Sequence, residues 1–464
     1  MNAHRRDLVA VLALVGAVFA VAQAAVVPAL PGIDHALGCA PSSGTWILTI
    51  NLLATALLTP MLGRLGDMHG KDTMLRIVVA TLGAGTLVCA LAPSLPVMLA
   101  GRAAQGAGGA VFPLAFGVLR DELERERVPG AIGVVSSLLG IGGGLGLVIA
   151  GPVVAAIGWR WLFWLPLALL LGLGVALVRC VPKSPVRTPG QIDLVAAALM
   201  IAGLTALLVA VSEASAWTLT SPRTLGLLGA GVALLAGWVR RELSSEDPLV
   251  DMRMMALPAV WTTNLAAFLL GIGMYASIAL VPALVELPRS SGIGFGGSAT
   301  LAGLFMLPTA APQLLIGPLT GRIVRRFGSR VQLVIGMTLI LLAYLMLTVA
   351  HHQAWQLLLA TTSLGLGLGF GLGALANLIV GAVDARQTGV ATAMNTVMRT
   401  LGGAFGAAIG AGCLAGGGSL DGRFSLAFGI CAAALCLGVV TALAIPAGRM
   451  TARTLRAATS STRA

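Results

Sequence analysis

The sequence predicts an all-helical membrane protein: two related six-helix halves with two extra helices between them, fourteen spans in all. Three observations carry that reading. Only 10% of the 464 residues are charged and 57% are hydrophobic, whereas a soluble domain carries roughly 25% charged residues. So few charges cannot cover a water-facing surface of this size. Apolar runs of about 20 residues, enough to cross a bilayer core, recur along the whole chain. Finally, the charged, glycine-spaced stretch Gly63-Arg64-Leu65-Gly66-Asp67-Met68-His69-Gly70-Lys71 has a second version at Gly321–Arg330, 258 positions later. Each copy reads as a short turn between two apolar helices, and two copies in matching places imply two related halves.

The apolar runs fall at roughly 8–31, 43–62, 73–92, 96–119, 130–157, 160–180, 193–213, 223–241, 258–285, 298–318, 331–350, 354–378, 388–413 and 424–446. The first opens like a signal peptide, with Arg5 and Arg6 ahead of it and Ala22-Gln23-Ala24 within it. It is longer than a 7–15-residue signal core, so it reads as an uncleaved span. Proline removes a helix hydrogen bond, which predicts kinks at Pro113, Pro152, Pro282 and Pro308. Glycine at every second position from Gly365 to Gly373 is not a strand, because an open strand in lipid leaves backbone groups unpaired. It reads as a helix with little side-chain bulk that packs closely.

An even span count puts both termini on one side, and the positive-inside rule chooses the side. With the termini cytoplasmic, the inner segments hold 23 of the 29 basic residues. Four (Arg160, Arg223, Arg289, Arg423) fall in outer loops and two (Arg102, Arg399) within spans. The net charge of +12 is therefore a topology signal, with no nucleic acid partner implied. The eight tryptophans fall near span ends, where amphipathic rings favour the headgroup region. Matching the repeats divides the chain into an N-terminal half (1–188), an extra helix pair (189–245) and a C-terminal half with a short cytoplasmic tail (246–464). Weakly similar halves of transmembrane helices are a transporter signature, with the substrate path between them.

The residues of the repeated stretch carry a resemblance. Gly63, Leu65, Asp67, Gly70 and Lys71 match the G-x-L-x-D-R-x-G-R-R/K loop of the major facilitator superfamily, with Met68 in place of the usual arginine and Asp72 in place of a base. The resemblance implies that Asp67 faces a helix of the other half and latches the cytoplasmic side. The gate set is then Gly63, Asp67, Gly70 and Lys71 in the first copy and Gly321, Arg322 and Arg326 in the second. Arg325 replaces the aspartate there, so an asymmetric latch is expected. The bland alternative is a solvated turn. Arg102-Ala103-Ala104-Gln105-Gly106-Ala107-Gly108 resembles the family's R-x-x-Q-G-x-G motif. An arginine within a span costs about 2.5–3.5 kcal/mol on insertion scales, so Arg102 either serves the path or snorkels to the interface.

Gly151-Pro152 resembles part of the antiporter motif G-x-x-x-G-P-x-x-G-G, with Leu147, Ala155 and Ala156 departing from it. Trp159-Arg160-Trp161-Leu162-Phe163-Trp164 directly after it resembles the W-R-W-I-F-W segment of the fourteen-span drug:proton antiporters. Asp193 to Glu213 with Trp217, and Ala391 to Gly403 including Arg399, resemble later parts of the same subfamily. The implied protein is a major facilitator fold in the plasma membrane that exports amphipathic organic compounds by alternating access with proton antiport. It acts as a monomer, with protons and the lipid bilayer as further partners and no cofactor.

One departure bears on coupling: where the subfamily carries an aspartate in its first span, this chain has Ala22. The polar candidates left for the path are Gln23, Asn51, Gln105, Gln313 and Asn377, each with an interhelical hydrogen bond as the alternative, together with the charged Arg102 and Arg399. The acids nearest the lipid are Asp34, Glu213 and Glu286. Glu286, after Pro282, is expected to be partly buried and to be the best coupling candidate, with a solvated end residue as the alternative. Without coupling, the chain reads as a facilitator or uptake carrier on the same fold. A membrane-embedded enzyme would need a nucleophile, metal site or acid–base pair, and none is visible. The five histidines (His4, His35, His69, His351 and His352) sit at ends or loops and are expected to make no metal site, and the six cysteines, without metal-like spacing, read as small packing residues.

Overall fold

The computed structural model describes residues 3–39, 44, 46–188, 190–213, 217 and 221–446, and among these every regular element is a helix. The first run folds as α1 (Ala3–Ala24) and α2 (Val26–Leu37). The break between them has a local cause: Pro28 has no N–H to give to the Ala24 carbonyl. Next come α3 (Trp46–His69) and α4 (Lys71–Leu91), then α5 (Leu95–Gln105) and α6 (Val111–Glu122), joined by the 3-10 turn Gly106–Ala110. Pro113 withholds a hydrogen bond from Gly109 there, and the glycines let this turn lie directly on Ala54 and Thr55 of α3. The kink expected at Pro113 takes this form. Helices continue through Pro152, Pro282 and Pro308.

The remaining helices are α7 (Val128–Ile157), α8 (Trp161–Cys180), α9 (Leu194–Ser212), α10 (Pro222–Ser244), the short α11 (Met252–Met255), α12 (Pro258–Glu286), α13 (Ala299–Val349), α14 (Ala354–Ala382), α15 (Thr388–Ala415) and α16 (Leu420–Ala444). Twelve helices among the described residues are long and apolar enough to cross a membrane. That number and the fourteen apolar runs differ at two places. The 51-residue α13 covers two runs, and α5 and α6 are two short pieces of one run.

The repeated stretches differ from the turns expected of them. In both copies the helix runs on through the charged residues and breaks at a single glycine. Gly70 has φ 107° and ψ 128°. Gly328, the equivalent position, has φ 83° and ψ 158° inside α13. Side chains rarely tolerate this region, so each break needs glycine. Two distant glycines with nearly the same unusual backbone show the internal repeat in the fold itself.

Helix packing repeats in the same order. α1 packs on α7 and α8, and α12 packs on α15 and α16; α4 meets α8 as the second part of α13 meets α16. The most extensive crossed contacts between the sets are α3 against α15 and α7 against α13, with α7 also on α14 and α6 on α15. Small residues make the first two close. α7 lays Gly133 on Thr320, Gly140 on Gln313, Gly144 on Ala310 and Gly151 on Thr300. Without a hydrophobic drive between helices in lipid, such close backbone approach is what holds them. α9 and α10 pack on each other, with α9 lying against α3 and α15 at one seam. The Gly365–Gly373 segment is helical, and Gly365 and Gly367 approach the backbone of α13.

Candidate functional site

The first cluster lies at the end of α3. The Asp67 carboxylate accepts hydrogen bonds from the backbone N–H groups of Gly389 (3.1 Å) and Val390 (2.9 Å). These open α15 in the opposite set of helices, and the first N–H groups of a helix have no partner within it. A carboxylate there satisfies them and complements the positive end of the helix dipole. Gly63, one turn earlier, permits the approach. A Cβ on Gly63 would stand 2.8 Å from the Gly389 carbonyl oxygen, and one on Gly389 2.6 Å from that of Gly63.

Neighbouring charges hold the same segment. Lys71, fully buried, donates to Asp121 (2.7 Å) and to the Ala385 carbonyl (3.2 Å), with Asp67 at 4.0 Å. Arg120 donates to Thr388 Oγ1 (2.7 Å) and the Val383 carbonyl (2.8 Å). The connection after α8 closes the rim: Thr188 N–H donates to the Asp67 carbonyl (2.8 Å), and Thr188 Oγ1 to that of Arg386 (3.3 Å). Arg120 and Asp121 were missed in the sequence reading, although a charged pair closing an apolar run was visible. The second copy is bare by comparison. Gly321 packs on Gly130, while Arg322, Arg325 and Arg326 are exposed and make no hydrogen bond across the seam among the described residues. A guanidinium at the position equivalent to Asp67 cannot cap a helix N-terminus, because it has no acceptor.

The second cluster gathers four residues scattered in sequence. Arg102 is 2% exposed, so it does not snorkel. Its guanidinium donates to the Ile47 carbonyl (3.1 Å), Gln105 Oε1 (2.8 Å) and Gln23 Oε1 (3.3 Å). Asn51 donates to the Arg102 carbonyl (2.9 Å), and Gln105 passes the network to Thr86 (2.8 Å). No carboxylate pairs with Arg102 among the described residues. The charge is held by neutral oxygens alone, which ties α1, α3, α4 and α5 together.

The third is a cavity of about 30 Å³ between α6, α7, α14 and α15, room for a water or two. Phe112, Phe116, Leu139, Leu372 and Arg399 wall it, with Ser136, Thr392 and Asn395 as polar contacts. Arg399 lies about 16 Å beyond the start of α15 at about 1.5 Å per residue, near mid-membrane. It has neither a hydrogen bond nor an ion pair among the described residues, and no acid lines the cavity. A larger hollow between α4 and α8, lined by Val79, Leu87, Leu171 and Val178, is almost wholly apolar, and its one charged lining residue, Arg76, is already engaged with the Val181 carbonyl and Asp72.

The other candidates lie apart. Gln313 is buried beside Gly140, donating to the Thr309 carbonyl (2.7 Å), and its Oε1 has no partner among the described residues. Asn377 donates to the Pro129 carbonyl across the α7 seam (3.3 Å). Gly151 touches Thr300, and Pro152 follows it inside α7. Asp34 is buried near the end of α2, and its Oδ1 has no hydrogen-bond partner among the described residues. Glu286 corrects an expectation: it is exposed at the end of α12, and Arg289 turns away to donate to the Phe295 carbonyl. The helix ends at Glu286 with Leu287 as its C-cap, and the carboxylate there stays open to solvent. The partial burial that made Glu286 a coupling candidate is absent.

Comparison with known proteins adds to this geometry. The sequence profile of the Major Facilitator Superfamily matches residues 12–406 and 263–463. The chain is 27% identical over 382 residues to multidrug resistance protein Stp of Mycobacterium tuberculosis (strain CDC 1551 / Oshkosh), covering 79% of this chain and 68% of that one. It is 26% identical over 347 residues to multidrug transporter protein MdtP of Bacillus subtilis (strain 168), covering 73% of this chain and 62% of that one. Among solved structures, the human organic anion transporter MFSD10 (TETRAN) superposes with a TM-score of 0.67 at 16% identity, covering 95% of this chain and 100% of that one. At that identity the likeness speaks to fold alone.

Proposed function

The chain belongs to the Major Facilitator Superfamily, and from that premise we propose that it exports small amphipathic organic compounds across the plasma membrane by alternating access. It is an integral membrane transporter and not an enzyme. The observation that carries the proposal is the amphipathic cavity between the two sets of helices, on α15, the same helix whose N-terminus Asp67 caps. The multidrug relatives, Stp and MdtP, support efflux as the direction.

In this reading α13 counts as two spans and α5 with α6 as one, which makes fourteen. The halves are 1–188 and 246–464, with 189–245 as the extra pair and both termini cytoplasmic. Asp67, Lys71 and Arg120 then form the inner gate, and the cavity is in its contracted state. Arg399, cationic and unpaired in the cavity wall, favours substrates that bring an acceptor or an anionic group. Proton antiport is the coupling that the fourteen-span resemblance supports. A second reading, uncoupled facilitation, is favoured by one observation: Ala22 and the cavity lining supply no carboxylate.

The test is transport in inside-out vesicles, with a panel of fluorescent amphipaths of opposite charge, with and without an imposed pH gradient. Uphill accumulation driven by the gradient is expected for efflux by antiport. Equilibration without accumulation selects the facilitator, and no transport of any panel member contradicts the proposal.

A further inference from the structure

On the face opposite Asp67, two histidines from one hairpin meet an acid from another. His351 and His352 lie between α13 and α14, and Asp421 is in the first turn of α16. His351 Nε2 is 3.0 Å and His352 Nε2 2.9 Å from the same atom, Asp421 Oδ1. The two rings stack with centroids 4.7 Å apart. His351 is 1% exposed, packed against Phe424 and Phe428, while His352 and Asp421 are about half exposed. Spacing along the chain could not show this, because 69 positions separate His352 from Asp421.

The tautomer decides the chemistry. His351 Nδ1 lies 2.8 Å from the Leu347 carbonyl oxygen, which can only accept, so Nδ1 carries a proton. In neutral imidazole Nε2 is then a bare lone pair, and it faces an equally bare carboxylate oxygen. Among the described residues, neither His351 Nε2 nor Asp421 Oδ1 is engaged in a hydrogen bond, close as they lie. Protonating both rings to bridge the gap would stack two cations face to face. A neutral His352 can donate from Nε2 to Asp421 Oδ1, which still leaves the His351 Nε2 lone pair against that oxygen; one divalent cation held by all three atoms removes this repulsion.

We propose that His351, His352 and Asp421 bind a divalent transition metal of the zinc class. The three ligand atoms lie within 4.8 Å of one another, so a small closure brings each to the roughly 2.0–2.2 Å of zinc–nitrogen and zinc–oxygen bonds. Two imidazoles and a carboxylate suit zinc, cobalt or nickel better than magnesium or calcium, which favour all-oxygen sets. The Nδ1–H to carbonyl bond on His351 is the outer support typical of a ligating histidine. The half-exposed side leaves open positions for water. Bound metal would clamp the α13–α14 turn to the start of α16. The proposal is independent of the transport reading.

The test uses the full chain in detergent, purified without a polyhistidine tag. Zinc binding is measured by competition with a chromogenic chelator, and melting temperature is followed with zinc, calcium and magnesium. The wild type should take up one equivalent of zinc and melt higher with zinc only. His352→Ala and Asp421→Asn, both at half-exposed positions, should fold normally yet lose at least the roughly 10–100-fold in zinc affinity that even an outer-shell partner is worth. Cobalt should give a visible ligand-field spectrum in the wild type that both variants lack. Absence of zinc binding by the wild type, or binding unchanged in both variants, overturns the proposal. So does an equal melting shift with calcium or magnesium. Melting that responds to pH near neutrality with no metal uptake also overturns it and assigns the cluster to a proton-bridged ion pair.

Discussion

Asp67 closes the N-terminus of the helix that begins at Thr388, with its two carboxylate oxygens on the adjacent N–H groups of Gly389 and Val390. The contact joins residues more than 320 positions apart and crosses from one set of helices to the other. It is made of a charge, two backbone donors and a glycine-on-glycine approach. It can therefore break and reform as a unit.

Replacing Asp67 by Asn keeps one acceptor oxygen and removes the charge. A carboxylate in a partly buried setting at a helix N-terminus is worth up to about 2 kcal/mol, so the closed state should lose up to about thirtyfold in relative population. Transport by Asp67→Asn should slow about tenfold or more at normal membrane abundance, as measured by initial efflux rate. Unchanged transport would mean that the cap is structural ornament.

For Arg102 the expectation is stability as much as transport. Arg102→Ala strands the Ile47 carbonyl, Gln105 and Gln23, and each buried group left without its partner costs about 1–3 kcal/mol. Arg102→Lys keeps the charge but cannot reach three acceptors in different directions. Thermal melting in detergent should rank wild type above Lys, and Lys above Ala. Equal melting of Lys and wild type would reduce the network to a point charge.

Arg399→Gln tests the cavity. With no acid or hydrogen bond to hold the guanidinium, and with an arginine within a span costing about 2.5–3.5 kcal/mol on insertion scales, its removal should leave melting at or above that of wild type. The KM for an anionic amphipath should rise about tenfold, since hydrogen bonds to charged groups contribute about 1.5–3 kcal/mol. A neutral analogue should be little affected. Equal changes for both compounds would remove charge selection by Arg399.

Asp193 supplies a pH test outside the spans. It caps α9 through Val195 and Ala196 and accepts from Arg241 Nε at 2.6 Å. The Arg241 bond first, then the Ala196 N–H, hold its carboxyl below the ordinary range. A depressed carboxylate pKa stabilises the fold above the unfolded value and loses that stabilisation as pH falls through the folded one. Asn caps about as well as Asp, so Asp193→Asn isolates the charge. The variant should melt slightly below wild type at neutral pH, and the gap should close below the normal carboxylate pKa near 4. A gap that persists in acid would point to the cap and away from the ion pair.

Much of the fold was legible because lipid imposes simple demands. Helices lie within a few residues of the apolar runs, since a spanning segment has no other way to satisfy its backbone. The repeat was legible at Gly63 and Gly70 against Gly321 and Gly328. Its form was not, because glycine marks where a break is allowed, and only packing on α15 tells that Gly63 continues the helix while Gly70 ends it. Within the site, Gln23, Asn51, Arg102 and Gln105 were each visible as polar residues in apolar runs. Their convergence depends on which helix faces align. Glu286 misled because proximity to a span end does not say which way a side chain turns. Arg120 and Asp121 went unread because charges at span ends are usually solvated.

The most direct test of the account is the distance across the Asp67 cap during transport. Spin labels at the exposed positions His69 and Arg386, in a chain freed of its other cysteines, report it by pulsed electron resonance. The account predicts a short distance in the resting wild type, a second, longer population when substrate and gradient are supplied, and a shift to the long population in Asp67→Asn even at rest. A single short distance under every condition, in both proteins, while transport proceeds would contradict it.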